Sequence, residues 1–454
     1  MFNKLSPPQL IVISFIGVIL IGAILLSLPV AKAGEGHLNF LDALFTATSA
    51  VCVTGLIVVD TGSYFSKFGQ AVILVMIQLG GLGIMTFSTF FFALLGRKIS
   101  IKEQLLLSDV LGKMRRTSFA ELAKKILIMT FIFELVGSVI LYLKWIPKYG
   151  AGKAIFPSIF HSISAFCNAG FSLNATSLEE FKGDILIVTV ISILIIVGGF
   201  GFVVVNELLH ADEMIKDRRK YFIRLSLQSK LVLSMTGILI ISSAVIFFLL
   251  EMNNVLYDLN IKEKILVTFF QVITPRTAGF NVIPVDKLNN SSLLLTKVLM
   301  FIGGSPGSTA GGIKTTTFYI LILLVFSMWR DRPNVEIYSK TIPSYIVKRV
   351  VVIAFIAVVW VFTATLILLI TESNMNSLIL KQGYFAQVLF EEVSAFGTVG
   401  LSTGITSHLS FAGKIVIILS MFLGRIGPLT LALAMKRKDI PIDYSYPEEK
   451  VMVG

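Results

Sequence analysis

The sequence predicts an all-α integral membrane protein. It predicts four helix–re-entrant loop–helix repeats, with eight transmembrane helices, around a pseudo-fourfold pore. Three observations carry this. The 454 residues are 55% hydrophobic and only 15% charged, against about 25% charged in soluble globular chains. Apolar stretches such as 10–30 and 185–205 have the ~20-residue length that spans a bilayer. A glycine motif recurs four times in phase. A soluble enzyme, a disordered chain and a nucleic-acid-binding domain are excluded by the first two. Two cysteines, Cys52 and Cys167, make no disulfide framework. No small-residue cleavage site follows the first apolar stretch, which reads as a retained helix rather than a signal peptide.

The repeated motif reads Ser49-Ala-Val-Cys-Val-Thr-Gly55-Leu56, Ser164-Ala-Phe-Cys-Asn-Ala-Gly170-Phe171, Ile273-Thr-Pro-Arg-Thr-Ala-Gly279-Phe280 and Ser394-Ala-Phe-Gly-Thr-Val-Gly400-Leu401. A second set follows each glycine: Gly80-Gly-Leu-Gly83, Gly198-Gly-Phe-Gly201, Gly304-Ser-Pro-Gly307 and Gly424-Arg-Ile-Gly427. Two motifs recurring in register mark four copies of one unit.

Each unit starts with an apolar helix, over 10–28, 126–145, 230–250 and 346–370. A shorter amphipathic run follows, over 38–51, 154–166, 262–273 and 384–396, too short to span and therefore re-entrant. The glycine motif closes it. A second long helix then returns across the membrane, over 67–95, 185–209, 292–328 and 411–435. The repeats are bounded at 1–96, 97–210 with a leading connector, 211–329 and 330–435, followed by a tail at 436–454.

The connectors and tails hold 24 of the 39 Lys and Arg residues. By the positive-inside rule they and both termini face the cytoplasm, and the re-entrant segments enter from outside. Most of the net charge of +12 is therefore topology rather than nucleic-acid affinity.

Non-helical backbone at membrane depth is tolerated only where it is buried in protein or lines a watery cavity. Four such loops around one axis would aim four half-helix carbonyl ends at the centre, which favours a cation. The tripeptides Val53-Thr54-Gly55, Asn168-Ala169-Gly170, Thr277-Ala278-Gly279 and Thr398-Val399-Gly400 offer no carboxylate ring. Backbone carbonyls are the remaining ligands, and glycine supplies dihedrals that a Cβ penalises. Tight turns between helices are the alternative.

The third unit is interrupted. Residues 292–302 and 318–328 are each about half a bilayer as helix. Between them stand Gly303, Gly304, Ser305, Pro306, Gly307, Ser308, Thr309, Ala310, Gly311, Gly312, Ile313, Lys314 and three threonines. Pro306 and five glycines oppose continuous helix, and the segment is expected under the filter, obstructing the pore. An inter-helix turn is the alternative. A phosphate loop is rejected, because Ile313 intervenes before Lys314 and an apolar helix precedes. Arg425 lies within the last spanning helix, where an arginine costs roughly 2.5–3.5 kcal/mol on the insertion scale. Its expected partners are the carbonyls and hydroxyls of 303–317, as a latch, a barrier to cations, or a structural tie. Cys52 and Cys167 read as packing residues and Glu134 as a hydrogen-bonded structural carboxylate. Glu391 or Glu392 braces the fourth filter loop from behind, and Arg276 points away from the axis. The four histidines are scattered, so no metal or catalytic cluster is visible.

The four units, the single glycine per loop and the stretch 303–312 resemble the Trk/Ktr/HKT potassium transporters, over essentially the whole chain. One helix before Gly55, without a preceding hairpin, fits the bacterial Ktr branch. The resemblance implies potassium as substrate and a gate at 303–312 with a positive residue at Arg425. In the family, glycine in all four loops goes with potassium preference, so Gly55 supports potassium. It further implies a homodimer with one pore per chain and a cytosolic ring of KtrA-type subunits that bind ATP or ADP. The basic connectors and the 436–454 tail are the candidate contacts. No cofactor is expected on this chain, and sodium stays open as a coupling or activating ion. Besides the ring, the expected partners are membrane lipids, with no nucleic acid. After each glycine stand Leu56, Phe171, Phe280 and Leu401, a departure from a full channel filter. The alternative is an alternating-access, sodium- or proton-coupled secondary transporter, although its repeats are usually two and often inverted. An intramembrane enzyme would need a nucleophile with a base or a metal cluster, and none is present in the sequence.

Overall fold

The computed structural model describes residues 7–34, 38–94, 119–209, 224–373, 383–428 and 430–431. Backbone in a bilayer must satisfy its own polar groups, and long apolar segments meet that demand as helix. Unit 1 holds α1 (Pro7–Ser27), α2 (Phe40–Val51), the single turn α3 (Thr61–Tyr64) and α4 (Lys67–Leu94). Unit 2 holds α5 (Phe119–Tyr149), α6 (Ala151–Phe166), α7 (Ile185–Phe200) and α8 (Phe202–Leu209). Unit 3 holds α9 (Leu227–Glu251), α10 (Ile261–Ile273), α11 (Asn290–Phe301) and α12 (Thr315–Trp329). Unit 4 holds α13 (Ser344–Thr371), α14 (Tyr384–Gly397) and α15 (Phe411–Ile426). A two-stranded hairpin, Glu336–Ile337 with Lys340–Thr341, lies between α12 and α13, where the sequence signalled no strand.

Among the described residues, the opening helices of the four units are long and apolar enough to cross a membrane unbroken. Their outer faces stay apolar and exposed, as at Phe131, Ile241, Phe355 and Phe362, which suits a lipid solvent. Polar caps set several other helix starts. Asp184 accepts from the amides of Leu186 and Ile187 at 3.1 and 3.2 Å, and Asn260 forms a capping box with Glu263. Such side chains satisfy amides that have no partner within the helix.

The returning helices differ from expectation. Instead of continuous spans over 67–95, 185–209 and 411–435, each turns at the second glycine of its Gly-x-x-Gly set. Gly83, Gly201 and Gly427 have φ of 68°, 89° and 87°, and Gly307 of unit 3 has 70°. A left-handed residue ends a right-handed helix. The axes of α7 and α8 consequently meet at 106°. The first glycine of three of the sets serves another purpose. A Cβ at Gly80, Gly198 or Gly424 would strike the carbonyl oxygen of Val51, Phe166 or Phe396, near the end of the half-helix of its own unit. The break expected only in unit 3 is therefore common to all four, and unit 3 alone expands it into a loop. Residues 95, 429 and 432–435 of the expected spans lie outside the described residues, as do most of the 97–125 connector, residues 210–223 and the tail 436–454.

Packing closes the units into a ring. The returning helix of each unit rests on the half-helix of the next: α4 on α6, α7 on α10, α11 on α14, and α15 on α2. A half-buried ion pair, Lys414 Nζ to Asp42 Oδ1 at 2.6 Å, joins unit 4 back to unit 1.

A Gly424→Ala chain should lose about 1–3 kcal/mol of stability, because the added carbon meets backbone that cannot rotate away. Gly17, whose Cβ would meet nothing within 4 Å, is the control, and alanine there should be neutral or stabilising. Thermal unfolding of the two detergent-solubilised variants checks the contrast, and equal midpoints would contradict it.

Candidate functional site

Four half-helices, α2, α6, α10 and α14, end at the four glycine loops. Val53, Asn168, Thr277 and Thr398 all take positive φ, at 56°, 59°, 70° and 50°. Two residues later Gly55, Gly170, Gly279 and Gly400 do so again, at 89°, 69°, 74° and 93°. Thr54, Ala169, Ala278 and Val399 between them do not. Alternating handedness turns successive carbonyls to one side of a chain. Four non-glycine residues in the left-handed region is a cost of order 1 kcal/mol each, borne only where the surroundings over-determine it.

The loops meet one another. A Cβ on Gly55 would strike the carbonyl oxygen of Ala169 and stand 3.0 Å from Cα of Gly170. One on Gly170 would lie 2.8 Å from the oxygen of Ala278 and 2.9 Å from Cα of Gly279. One on Gly279 would strike the oxygen of Val399, and one on Gly400 that of Thr54, 3.0 Å from Cα of Gly55. The contacts run from Gly55 to Gly170 to Gly279 to Gly400 and back to Gly55. Eight of the twelve sequence-predicted loop residues, the four glycines and the residue before each, therefore lie in one closed ring, with Val53, Asn168, Thr277 and Thr398 directly preceding them.

On one side the ring opens into a cavity of about 570 Å³ whose floor includes all four glycines. Among the described residues its lining includes the carboxylates Asp60, Glu179 and Asp286 and no Lys or Arg. Burial raises the Glu179 carboxyl above its ordinary range, the amide of Asn281 (2.8 Å) opposes this, and Asp286 adds to it. This acidic mouth was not singled out from the sequence, because its members come from three different units.

On the half-helix side of the ring lies the 302–314 segment. Gly311 is so close to Thr398 that a Cβ there would strike its side chain, and Gly312 faces Gly397. The amides of Ser305 and Thr309 donate to the carbonyls of Gly199 (3.0 Å) and Gly198 (3.2 Å), and that of Gly312 donates to Gly424 (3.3 Å). Gly303 and Gly304 pair with Ile313 and Thr315 across the loop base. The Thr309 hydroxyl donates to the Phe166 carbonyl at 3.2 Å, and that of Ser308 to Ser305 at 2.7 Å. The carbonyl of Gly307 accepts from Phe202 at 3.0 Å, and Pro306 and Gly307 abut Gly201. Ala310 is buried. Its carbonyl accepts from Lys314 Nζ at 2.7 Å. Lys314 thus stays within the loop.

Arg425 is buried and donates to the carbonyls of Thr309 and Gly80. It ties its own unit to the loop of unit 3 and to the helix break of unit 1.

The lesser sites fall as follows. Arg276 donates to Thr236 on α9 at 3.0 Å, on the lipid-side helix of its own unit and away from the ring. Glu134 accepts from Gln78 at 3.2 Å and lies 3.7 Å from the Cys167 thiol. Glu391 accepts from Ser402 (2.9 Å) and Thr406 in the segment after Gly400, and Glu392 from Ser420 at 2.7 Å. Cys52 and Cys167 are buried free thiols. His161 is buried between the Pro157 carbonyl and Ser172. Among the described residues no three His, Cys, Asp or Glu side chains converge as metal ligands; His37 and His210 lie outside those residues.

Arg425 makes one charge-assisted bond to the loop, at Thr309, and one to Gly80, and such bonds contribute about 1.5–3 kcal/mol each. Arg425→Gln should speed amide exchange across 303–315 by tenfold or more, by the size of one such bond. Hydrogen-exchange mass spectrometry of the solubilised chain reads this directly. Unchanged exchange would mean that the backbone contacts alone hold the loop.

A family model described as TrkH, cation transport protein, matches residues 6–444. The chain is 39% identical to the Ktr system potassium uptake protein B of Bacillus subtilis (strain 168), over 99% of this chain and 97% of that protein. It is 38% identical to the potassium/sodium uptake protein NtpJ of Enterococcus hirae, over 100% and 98% respectively. The crystal structure of the potassium transporter TrkH from Vibrio parahaemolyticus shares the fold, with a TM-score of 0.71 at 20% identity over 93% of this chain and 84% of that one. Four broken repeats closed into a ring, matched by that family model over nearly the full length, make this chain a multi-pass membrane protein and a member of the TrkH family of cation transport proteins.

Proposed function

We propose that this chain is a potassium uptake pathway. The observation that carries it is the closed ring in which each loop glycine abuts the carbonyl of its neighbour. Potassium leaves the acidic vestibule, exchanges water for the carbonyls of residues 53–55, 168–170, 277–279 and 398–400, and meets the 303–314 loop as a gate latched by Arg425. The names of the two relatives that match over their full length both include potassium, which supports the choice of ion. Sodium, which one of those names includes, is retained as a coupling or activating ion. The excess of Lys and Arg on the connectors supports cytoplasmic termini. The membrane potential then drives entry with ~2.3 kcal/mol per charge per 100 mV.

Within the same proposal, the unit boundaries at 96, 210, 329 and 435 delimit the repeats. The chain forms a homodimer, and a KtrA-type cytosolic ring that binds ATP or ADP controls the gate from the connector side. Similarity to a Ktr system membrane protein supports a soluble partner.

Uptake of potassium and sodium into potassium-starved cells lacking their own uptake systems tests the core of this. The intact chain should restore uptake at low potassium. Gly279→Ser should erode the preference for potassium, because its Cβ strikes the Val399 carbonyl at a φ of 74°. Deleting 307–312 should increase flux. If Gly279→Ser leaves selectivity untouched, the loops are turns and alternating access replaces the pore.

The vestibule adds a pH dependence. Burial raises the Glu179 carboxyl above the ordinary glutamate range, so it loses its charge earlier than an ordinary glutamate as external pH falls. Half-saturation for potassium should therefore rise on mild acidification from neutral pH, and Glu179→Gln should flatten that rise. An identical pH profile in wild type and variant would remove Glu179 from the pathway.

A further inference from the structure

Each half-helix carries one buried hydroxyl that reaches the loop it precedes. In units 1 and 4 the hydroxyl accepts: Gly55 N–H donates to Ser49 Oγ at 3.0 Å, and Gly400 N–H to Ser394 Oγ at 3.1 Å. In units 2 and 3 it donates: Ser164 Oγ to the Phe171 carbonyl at 2.8 Å, and Thr274 Oγ1 to the Phe280 carbonyl at 2.5 Å. All four side chains are fully buried. The third was hidden in the motif alignment, where Ile273 stands opposite the serines and Thr274 acts one residue later.

The two modes have opposite consequences for the ring. A trans peptide points its N–H and C=O in opposite directions. Holding Gly55 N–H back against α2 therefore turns the Thr54 carbonyl forward, where it abuts Gly400. Holding Gly400 N–H against α14 does the same for Val399, which abuts Gly279. In units 2 and 3 the bonded carbonyl is the one after the glycine. It is turned back toward the half-helix, so the run of forward carbonyls stops at Gly170 and Gly279.

We propose that Ser49, Ser164, Thr274 and Ser394 are positioning residues that set the preference between potassium and sodium. This rests on the ring being the selective element. A carbonyl ring favours the larger ion only while it does not contract around the smaller one, whether by cavity size or by ligand number. Peptides pinned from behind at four points resist that contraction. Without the hydroxyl, the Thr54 and Val399 peptides can rotate, and the Phe171 and Phe280 carbonyls are free to swing to the path.

Thr274 gives the cleanest comparison, because valine keeps its shape without the hydroxyl and serine keeps the hydroxyl without the methyl. Potassium and sodium uptake by the full chain would be measured for Thr274→Val, Thr274→Ser, Ser49→Ala and Ser394→Ala, with Gly279→Ser alongside. The potassium-to-sodium ratio should fall about tenfold in Thr274→Val, Ser49→Ala and Ser394→Ala, the effect of one buried hydrogen bond. It should stay near wild type in Thr274→Ser. A ratio does not depend on how much protein reaches the membrane, so a purely structural role would lower both fluxes together and leave it unchanged. An unchanged ratio in the three hydroxyl variants, with Gly279→Ser still shifting it, overturns this inference and leaves the pore standing. An unchanged ratio in Gly279→Ser as well overturns the pore itself.

Discussion

Interrupting a helix at membrane depth frees backbone groups that no water can reach, and this protein does so in every unit. Each freed group must find a partner inside the protein. The returning helices turn after Gly80, Gly198 and Gly424, and the carbonyl of each of these glycines accepts a donor from elsewhere in the ring. For Gly198 the donor is the amide of Thr309, for Gly424 the amide of Gly312, and for Gly80 the guanidinium of Arg425. The loop of unit 3 and the arginine of unit 4 are thus parts of one solution. The loop supplies amides to two helix breaks, and the arginine supplies N–H groups to a third.

The glycine loops follow the same accounting. The amides of Thr54, Ala169 and Val399 donate to the carbonyls of Ser49, Ser164 and Ser394 at 2.7–2.8 Å, and that of Ala278 to Thr274 at 2.9 Å. With these N–H groups committed to the half-helices, the carbonyls between loops carry no amide partner from their own loop, as the proposed cation pathway requires. The half-helix ends add their negative dipole from behind. Size then decides which residue closes the ring. At each of the four glycines even one methyl group would meet a neighbour's backbone, so the aperture is set by atoms that cannot rotate away.

Unit 3 breaks the fourfold symmetry, and the asymmetry falls in the segment proposed as the gate. Its helix break carries Pro306, where units 1, 2 and 4 have Leu82, Phe200 and Ile426, and it extends from Ile302 to Lys314. The loop it forms touches units 2 and 4 directly, and Arg425 links it to unit 1. Moving it requires replacing several carbonyl partners at once, which makes two discrete arrangements more natural than gradual yielding. The vestibule lies on the other face of the ring from this loop, so the proposed entry and the proposed gate occupy separate places.

Much of this was legible along the chain. The period of the Ser/Ile-x-x-x-x-x-Gly segments located the half-helices to within three residues, and composition alone called for a bilayer. The break in unit 3 followed from Pro306 and its glycines, and Arg425 stood out by its cost in lipid. The breaks at Gly83, Gly201 and Gly427 were not read, because apolar residues run on past them and hydropathy does not report a dihedral angle. The acidic mouth and the partner of each freed carbonyl were also out of reach, since their members are tens to hundreds of residues apart. Sequence by itself determined a four-unit membrane protein with one glycine loop per unit, because hydropathy and repeats are local properties. Tertiary structure alone decided which neighbour each glycine abuts, which hydroxyls accept and which donate, and that Arg425 also holds the Gly80 carbonyl beside its expected partner in 303–317, because these depend on how four units meet around one axis.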